Sequence, residues 1–307
     1  MVGRNLEERL SSEHVVLAPT SGDLDLLDAA RTRAAVAAAA PDLIIHAAGR
    51  VGGIEANRHA NARFLADNMI MGLNVVQAAQ EAGVPQLLNL ASSCMYPKDL
   101  EGALSEDMML RGQLEPTNEG YALAKIAVTR YCQFVSRENM GLRYVTAVPC
   151  NLYGPWDSFD PVRAHMLPSA LRKVAEAARA GVPSVEIWGD GSARREFMYV
   201  GDLADFVAQA LAAFDSLPEV LNVGTGQDAT VQEYYEAAAT VARFTGSWTY
   251  DTSKPVGMRR KLLDCTLVNN WGWHSRHSLE EGLRLTYDFY RRDHNGLPPR
   301  HELLGRA

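Results

Sequence analysis

The hydrophobic positions of this chain fall into short continuous runs separated by longer stretches of helical period. His14-Val15-Val16-Leu17-Ala18 is followed by an alanine-rich helix, and Leu43-Ile44-Ile45-His46-Ala47-Ala48 by a long helix running through Asn68 to Gln80. Gln86-Leu87-Leu88-Asn89-Leu90-Ala91 reads as the next strand, 118–138 as a long helix, and Tyr144-Val145-Thr146-Ala147-Val148 as another strand. Strands that are apolar throughout rather than alternating predict an α/β fold built on a doubly wound parallel sheet with helices on both faces. Beyond Gly154-Pro155 the pattern changes. Short strands at Val185-Glu186-Ile187-Trp188, Val220-Leu221-Asn222-Val223 and Trp248-Thr249-Tyr250 alternate with helices and Gly- and Pro-rich loops, which predicts a smaller α/β carboxy-terminal lobe. The expected division is 1–155 for a dinucleotide-binding domain of Rossmann type, and 156–307 for a substrate lobe with segments that return to the first domain.

The start of the chain departs from that plan. Residues 1–10 read as a helix with no strand before it. A dinucleotide-binding sheet opens with a strand and a glycine-rich turn whose amides meet the pyrophosphate at a helix amino terminus. Here the tail of that device remains, with Gly3 where close helix packing would want no side chain. The first strand lies at the centre of such a sheet, and its loss leaves unpaired edges mid-sheet. The expectation is therefore a first domain that is incomplete at its amino end, with the natural polypeptide extending upstream of Met1.

Composition narrows the function classes. With 307 residues and 47% hydrophobic content the chain buries a sizeable core, which excludes a disordered or fibrous protein. A net charge of -7 argues against nucleic acid or an anionic membrane as the main partner. Cys94, Cys132, Cys150 and Cys265 lack the paired spacing of zinc sites or disulfide scaffolds, so reduced thiols and no metal are expected. No apolar run approaches membrane-spanning length and no signal-peptide pattern opens the chain, so a cytoplasmic location is expected.

Tyr121 and Lys125 are four residues apart on the long helix that follows the Leu88 strand, hence on one face and one turn apart. A nearby ammonium favours a phenolate, which makes the tyrosine a usable acid or base. Alone this spacing is common on amphipathic helices. Its context is Ser92-Ser93-Cys94-Met95-Tyr96-Pro97, just past the carboxyl end of a buried strand, the rim where open α/β sheets place their ligands. Ser92 offers a hydrogen bond to a substrate oxygen. Cys94 offers a proton-transfer base if its thiol pKa is lowered; its bland alternative is a small buried hydrophobe.

Gly52-Gly53-Ile54, Asn68-Met69, the Ser92-Pro97 run, Glu115-Pro116-Thr117-Asn118-Glu119, Tyr121-Ala122-Leu123-Ala124-Lys125, Asn151-Leu152-Tyr153-Gly154-Pro155, Arg195-Glu196-Phe197, Asn222-Val223-Gly224-Thr225-Gly226 and Arg260-Lys261-Leu262-Leu263-Asp264 together resemble the GDP-L-fucose synthase family of extended short-chain dehydrogenases/reductases. The resemblance runs to about residue 293. The related 4,6-dehydratases resemble Thr-Asp-Glu where this chain has Ser92-Ser93-Cys94, which argues against dehydration. The resemblance implies epimerisation at C3 and C5 of GDP-4-keto-6-deoxy-D-mannose followed by NADPH reduction of the 4-keto group. It makes Cys94 the base, His165 the acid, Tyr121 the proton donor to the alkoxide, Lys125 the group that lowers the phenol's pKa and holds the nicotinamide ribose, and Ser92 the binder of the 4-oxygen. It places Gly3, Ala48, Asn68 and Pro149 beside the cofactor, with Asn151, Leu152 and His165 near the nicotinamide. Lys173, Trp188, Arg195, Lys254 and Arg260 are its candidates for the nucleotide-sugar, a diphosphate needing arginine forks or ammonium charges. It also implies a homodimer through the two long helices of the first lobe.

Two departures bear on this. The family places an arginine after its second strand to grip the 2′-phosphate of NADP; here that region reads Ala18-Pro19-Thr20-Ser21-Gly22-Asp23, so NADP is expected with NAD as the alternative. Tyr199-Val200-Gly201-Asp202 replaces the family's His-Val-Asp-Asp, a sign of a modified sugar. Alternatives are an epimerase or reductase of another GDP-hexose or heptose derivative, a dideoxy sugar included, and a cofactor-free binding or scaffold protein.

Overall fold

A computed structural model of the chain describes residues 1–294 apart from positions 99, 162, 163 and 255. The first half runs α1 (Val2–Leu10), α2 (Ala29–Ala39), β1 (Leu43–His46), α3 (Ile54–Glu81), β2 (Gln86–Leu90), α4 (Glu119–Glu138), β3 (Arg143–Pro149) and β4 (Asn151–Tyr153). The second runs α5 (Met166–Ala180), β5 (Ser184–Trp188), β6 (Arg194–Arg195), β7 (Phe197–Tyr199), α6 (Val200–Ala212), β8 (Val220–Val223), β9 (Ala229–Thr230), α7 (Val231–Ala242), β10 (Ser247–Asp251), β11 (Arg260–Lys261), α8 (Thr266–Trp271) and α9 (Leu279–His294).

Among the described residues the main sheet has the order β1-β2-β3-β8, every neighbouring pair parallel. Leu87, Leu88, Val145, Ala147 and Leu221 are buried, which is why these strands are apolar on both sides. Met198, Phe206, Val207, Leu263 and Val268 of the second half pack into the same core as Leu88 and Val148. A second core gathers Leu167, Leu171 and Val174 of α5 with Ile187 of β5 and Tyr234 and Tyr235 of α7. The apolar residues of α5 recur at the three- and four-residue spacing of a helix with one buried stripe.

The strand expected at His14–Ala18 does not form. Val15 is 96% and Leu17 67% exposed, and β1 is an edge of the described sheet. A strand needs a hydrogen-bonded neighbour, and no described segment supplies one there. Gly3 is also not required by packing: a Cβ added to it meets nothing within 4 Å.

Two other glycines do set the architecture. A Cβ at Gly72 in α3 would lie 2.3 Å from Val128 Cγ2 of α4, and one at Gly120 in α4 would lie 2.3 Å from the Asn61 carbonyl oxygen of α3. The two helices therefore approach closely at both points, and the second is the residue before Tyr121. Among the described residues no helix is long and apolar enough to cross a membrane.

Candidate active site

The site grows from the carboxyl ends of the parallel strands. After β2 the chain enters a one-turn 3-10 helix over Ser93–Met95, capped by Ser92, whose Oγ accepts the Cys94 amide at 3.3 Å. Ala48 follows β1 and Pro149 ends β3, on the same edge. Asn151 and Leu152 begin β4, with Asn151 Nδ2 donating to the Glu196 carbonyl at 2.7 Å. Asn68, buried on α3, staples the loop after β1: its Nδ2 donates to the carbonyls of Phe64 at 2.7 Å and Arg50 at 3.0 Å, and its Oδ1 accepts the Arg50 amide at 2.9 Å.

Tyr121 and Lys125 share one face of α4. The Gly120 amide donates to Asn61 Oδ1 at 3.1 Å, which anchors the first turn on α3. Lys125 is buried; its Nζ donates to the Leu90 carbonyl at 2.8 Å and lies 5.7 Å from the centre of the Tyr121 ring. Burial lowers its pKa to about 8. Burial also raises the Tyr121 phenol well above its usual value, the charge of Cys94 adds to the rise, and a hydrogen bond with Ser92 opposes it. The expected lowering of the phenol by Lys125 is thus not what the structure shows, because desolvation of the phenolate outweighs a lysine whose ammonium is turned to a carbonyl. His46, at the end of β1, is held neutral with a pKa of about 3 by burial and by the charge of Lys125.

Cys94 is partly buried and doubly bonded: Asn118 Nδ2 donates to its Sγ at 3.1 Å and Lys261 Nζ at 3.3 Å. Burial pushes the thiol up, but the Lys261 charge and hydrogen bonds from Ser92, Lys261 and Asn118 prevail and the net pKa falls below the ordinary cysteine value. His165 is the N-cap of α5, its pKa lowered by burial and by Lys261. One ammonium is therefore felt by both.

Lys261 arrives through strand register. β11 pairs parallel with β6, Arg260 opposite Arg194 and Lys261 opposite Arg195. Successive side chains of a strand point to opposite faces. Arg194 and Arg260 both reach Asp228, at 2.9 and 2.5 Å, while Lys261 and Arg195 face Cys94, whose charge Arg195 also senses. Arg260, expected to meet the substrate, reaches Asp228 through its Nε. Lys261, its neighbour in the same motif, was the residue missed, and the two-residue period beside Arg195 was the signal that marks it. Arg195 itself donates to the carbonyls of Arg194 and Val256, each at 2.7 Å.

Three other substrate candidates come together. Lys173 Nζ and Lys254 Nζ lie 5.5 and 5.4 Å from the centre of the Trp188 ring, which is 43% exposed. In the Tyr199-Asp202 run, Tyr199, one of the two departures with Gly201, and Asp202 are both engaged with His277: Asp202 Oδ1 lies 2.7 Å from its Nδ1, and the Tyr199 ring 4.8 Å from its ring. Asp23, at the end of the Ala18-Asp23 run, spends its carboxylate on the amide and hydroxyl of Thr20, at 2.9 and 2.7 Å, while Arg31 donates to the Asp23 carbonyl at 3.1 Å.

Residues 1–224 match the model of the NAD dependent epimerase/dehydratase family. The chain is 47% identical over 296 residues to a GDP-L-colitose synthase of Yersinia pseudotuberculosis, covering 96% of each. It is 46% identical over 291 residues to a GDP-L-fucose synthase of Azorhizobium caulinodans, covering 94% of this chain and 93% of that protein. A GDP-mannoheptose C4 reductase from Campylobacter jejuni, solved with NADP bound, superposes with a TM-score of 0.84 at 28% identity, over 94% of this chain and 95% of that one. A parallel sheet with its serine, tyrosine and lysine at the carboxyl edge, matched along nearly its whole length by such enzymes, belongs to the NAD dependent epimerase/dehydratase family.

Proposed function

We propose that the protein is an NADPH-dependent epimerase-reductase that inverts C3 and C5 of GDP-4-keto-6-deoxy-D-mannose and reduces its 4-keto group to give GDP-L-fucose. Cys94 carries this reading. A plain reductase needs Ser92, Tyr121 and Lys125 but has no use for a thiol held by an ammonium and an amide beside them.

The carbons flanking a ketone lose a proton readily because the carbanion spreads onto the carbonyl oxygen. Cys94 thiolate takes that proton and becomes a thiol; His165 delivers one to the opposite face, and the centre is inverted. Ser92 holds the 4-oxygen. NADPH, when bound, supplies the hydride that reduces C4. Tyr121 gives its phenolic proton to the resulting alkoxide, a task for which its raised pKa keeps the proton in place, and Lys125 would hold the nicotinamide ribose.

The residues present fit the nicotinamide-ribose side of the cofactor: a Cβ at Gly49 would lie 3.1 Å from Asn68 Oδ1 and 3.9 Å from Lys125 Nζ, so bare backbone passes a buried lysine. Gly3 at the start of α1 leaves open space for the pyrophosphate. For the 2′-phosphate, Arg31 stands at the turn where Asp23 is already occupied by Thr20, which favours NADPH over NADH. Trp188 between two ammonium groups suits a base and its diphosphate. The lobes divide near residue 155. The enzyme is cytoplasmic and a homodimer, assembled through α3 and α4, where Ile70, Leu123 and Phe134 are exposed.

Incubation with GDP-4-keto-6-deoxy-D-mannose and NADPH should oxidise the cofactor and yield GDP-L-fucose by NMR; no NADPH consumption rejects the assignment. A second reading, another GDP-sugar, is favoured by the 47% identity to a GDP-L-colitose synthase. The ratio of kcat/KM for the two synthases' substrates decides between them.

A further inference from the structure

The ammonium of Lys261 and the amide of Asn118 meet on one sulfur from two elements far apart in the chain. Lys261 is 9% exposed, and a cation this deep is costly unless its charge is matched. Its cross-strand neighbour Arg195 and the facing His165 offer no negative charge. Nearby carboxylates are otherwise placed: Glu196 accepts the amides of Leu263, Thr225 and Gly226, and Asp228 is taken by Arg194 and Arg260. The sulfur is thus the acceptor through which Lys261 balances its charge.

We propose that Lys261 is a positioning residue for epimerisation: its ammonium, with the Asn118 amide, holds Cys94 as a thiolate, and the same charge acts on His165. This rests on the assignment of Cys94 as the base. A thiolate accepts a proton from carbon and a thiol does not, so the fraction of Cys94 ionised sets the rate of carbanion formation. The titratable or charged groups around the sulfur are Lys261 and Arg195 on β11 and β6, Tyr121 on α4 and His165 at the start of α5, with Glu115 acting on Arg195. Lys261 and Arg195 favour the thiolate. Bound substrate brings phosphates to the region, and Lys261 is the cation that touches the sulfur.

The test separates the tuning of the thiol from the identity of the substrate. Alkylation of Cys94 by iodoacetamide, followed by peptide mass spectrometry across pH on the full chain, reads the thiol midpoint without any sugar. Lys261→Met should move that midpoint up by about one to three pH units. Lys261→Arg, which keeps the charge, should leave it near that of the parent protein. Asn118→Ala should move it up by less, and serves as the independent arm if the methionine variant does not fold. In parallel, exchange of deuterium from D2O into the keto-sugar should show a bell-shaped pH profile. In Lys261→Met both limbs should shift to higher pH, because Cys94 and His165 lose the same neighbouring charge. An unmoved alkylation midpoint in both Lys261→Met and Asn118→Ala overturns the proposal, even if the parent protein exchanges deuterium. A shifted midpoint in a protein that exchanges none upholds the tuning and removes GDP-4-keto-6-deoxy-D-mannose as the substrate.

Discussion

Burial disfavours the Lys125 ammonium and lowers its pKa to about 8, which gives a direct expectation. Because the shift is downward, the ammonium is present below pH 8 and lost as pH rises through it. The reductive step, followed as NADPH oxidation under kcat/KM conditions, should therefore decline above about pH 8. Lys125→Arg, whose guanidinium stays charged, should lose that limb. Cys94→Ser should abolish deuterium exchange at C3 and C5 while leaving hydride transfer to an already epimerised ketone. Tyr121→Phe should do the reverse, lowering reduction by about 10²–10⁴-fold with exchange retained. Opposite defects in the two assays would establish two separable proton-transfer sets; a joint loss in both variants would refute the division. The Tyr121–Lys125 pair was legible in the chain because a helix puts residues four apart on one face. The partner of Cys94 was not, since Lys261 lies 167 positions away and reaches the sulfur through strand register alone.

At the level of elements, α4 carries the chemistry and α3 aims it. The Gly120 amide on Asn61 Oδ1 and the missing Cβ opposite the Asn61 carbonyl place the first turn of α4, and with it Tyr121. Gly120→Ala should force the helices apart locally, costing about 1–3 kcal/mol in chemical denaturation. It should lower kcat more than it changes nucleotide-sugar affinity. A variant with parental kcat would show that Tyr121 does not depend on this contact. The period of apolar residues announced α3, α4 and the strands β1, β2, β3 and β8 within a residue or two at most ends. It misjudged His14–Ala18, where the side chains suit a strand but the backbone has no partner: Val15 is left 96% exposed. Side-chain pattern reports which residues are apolar, whereas a strand exists only if a neighbour takes its hydrogen bonds.

Across the whole molecule, one buried carboxylate joins segments distant in sequence. Glu196, 1% exposed, accepts the Thr225 amide at 2.7 Å, the Gly226 amide at 2.9 Å and the Leu263 amide at 2.8 Å. These bonds tie β6 and β7 to the loop after β8 and to the residues that follow β11. Glu196→Ala would leave three amides without their acceptor, the buried one of Leu263 alone worth about 1–3 kcal/mol, so thermal denaturation should show a clear loss of stability. Sedimentation should find a dimer, and Phe134→Glu on α4 should weaken it if the α3 and α4 face is the interface; an unchanged dimer moves the interface elsewhere. The amino-acid sequence by itself determined the α/β rhythm, the helical Tyr121–Lys125 pair and the Ser92–Cys94 run at a strand end, because all three depend on local period and on short separations along the chain. Only the tertiary structure decided that Arg260 turns to Asp228 and Lys261 to Cys94, that burial raises the Tyr121 phenol, and that Lys173 and Lys254 flank Trp188. Those outcomes depend on which face of a paired strand looks inward and on how much water is excluded, and both are set by segments distant in sequence.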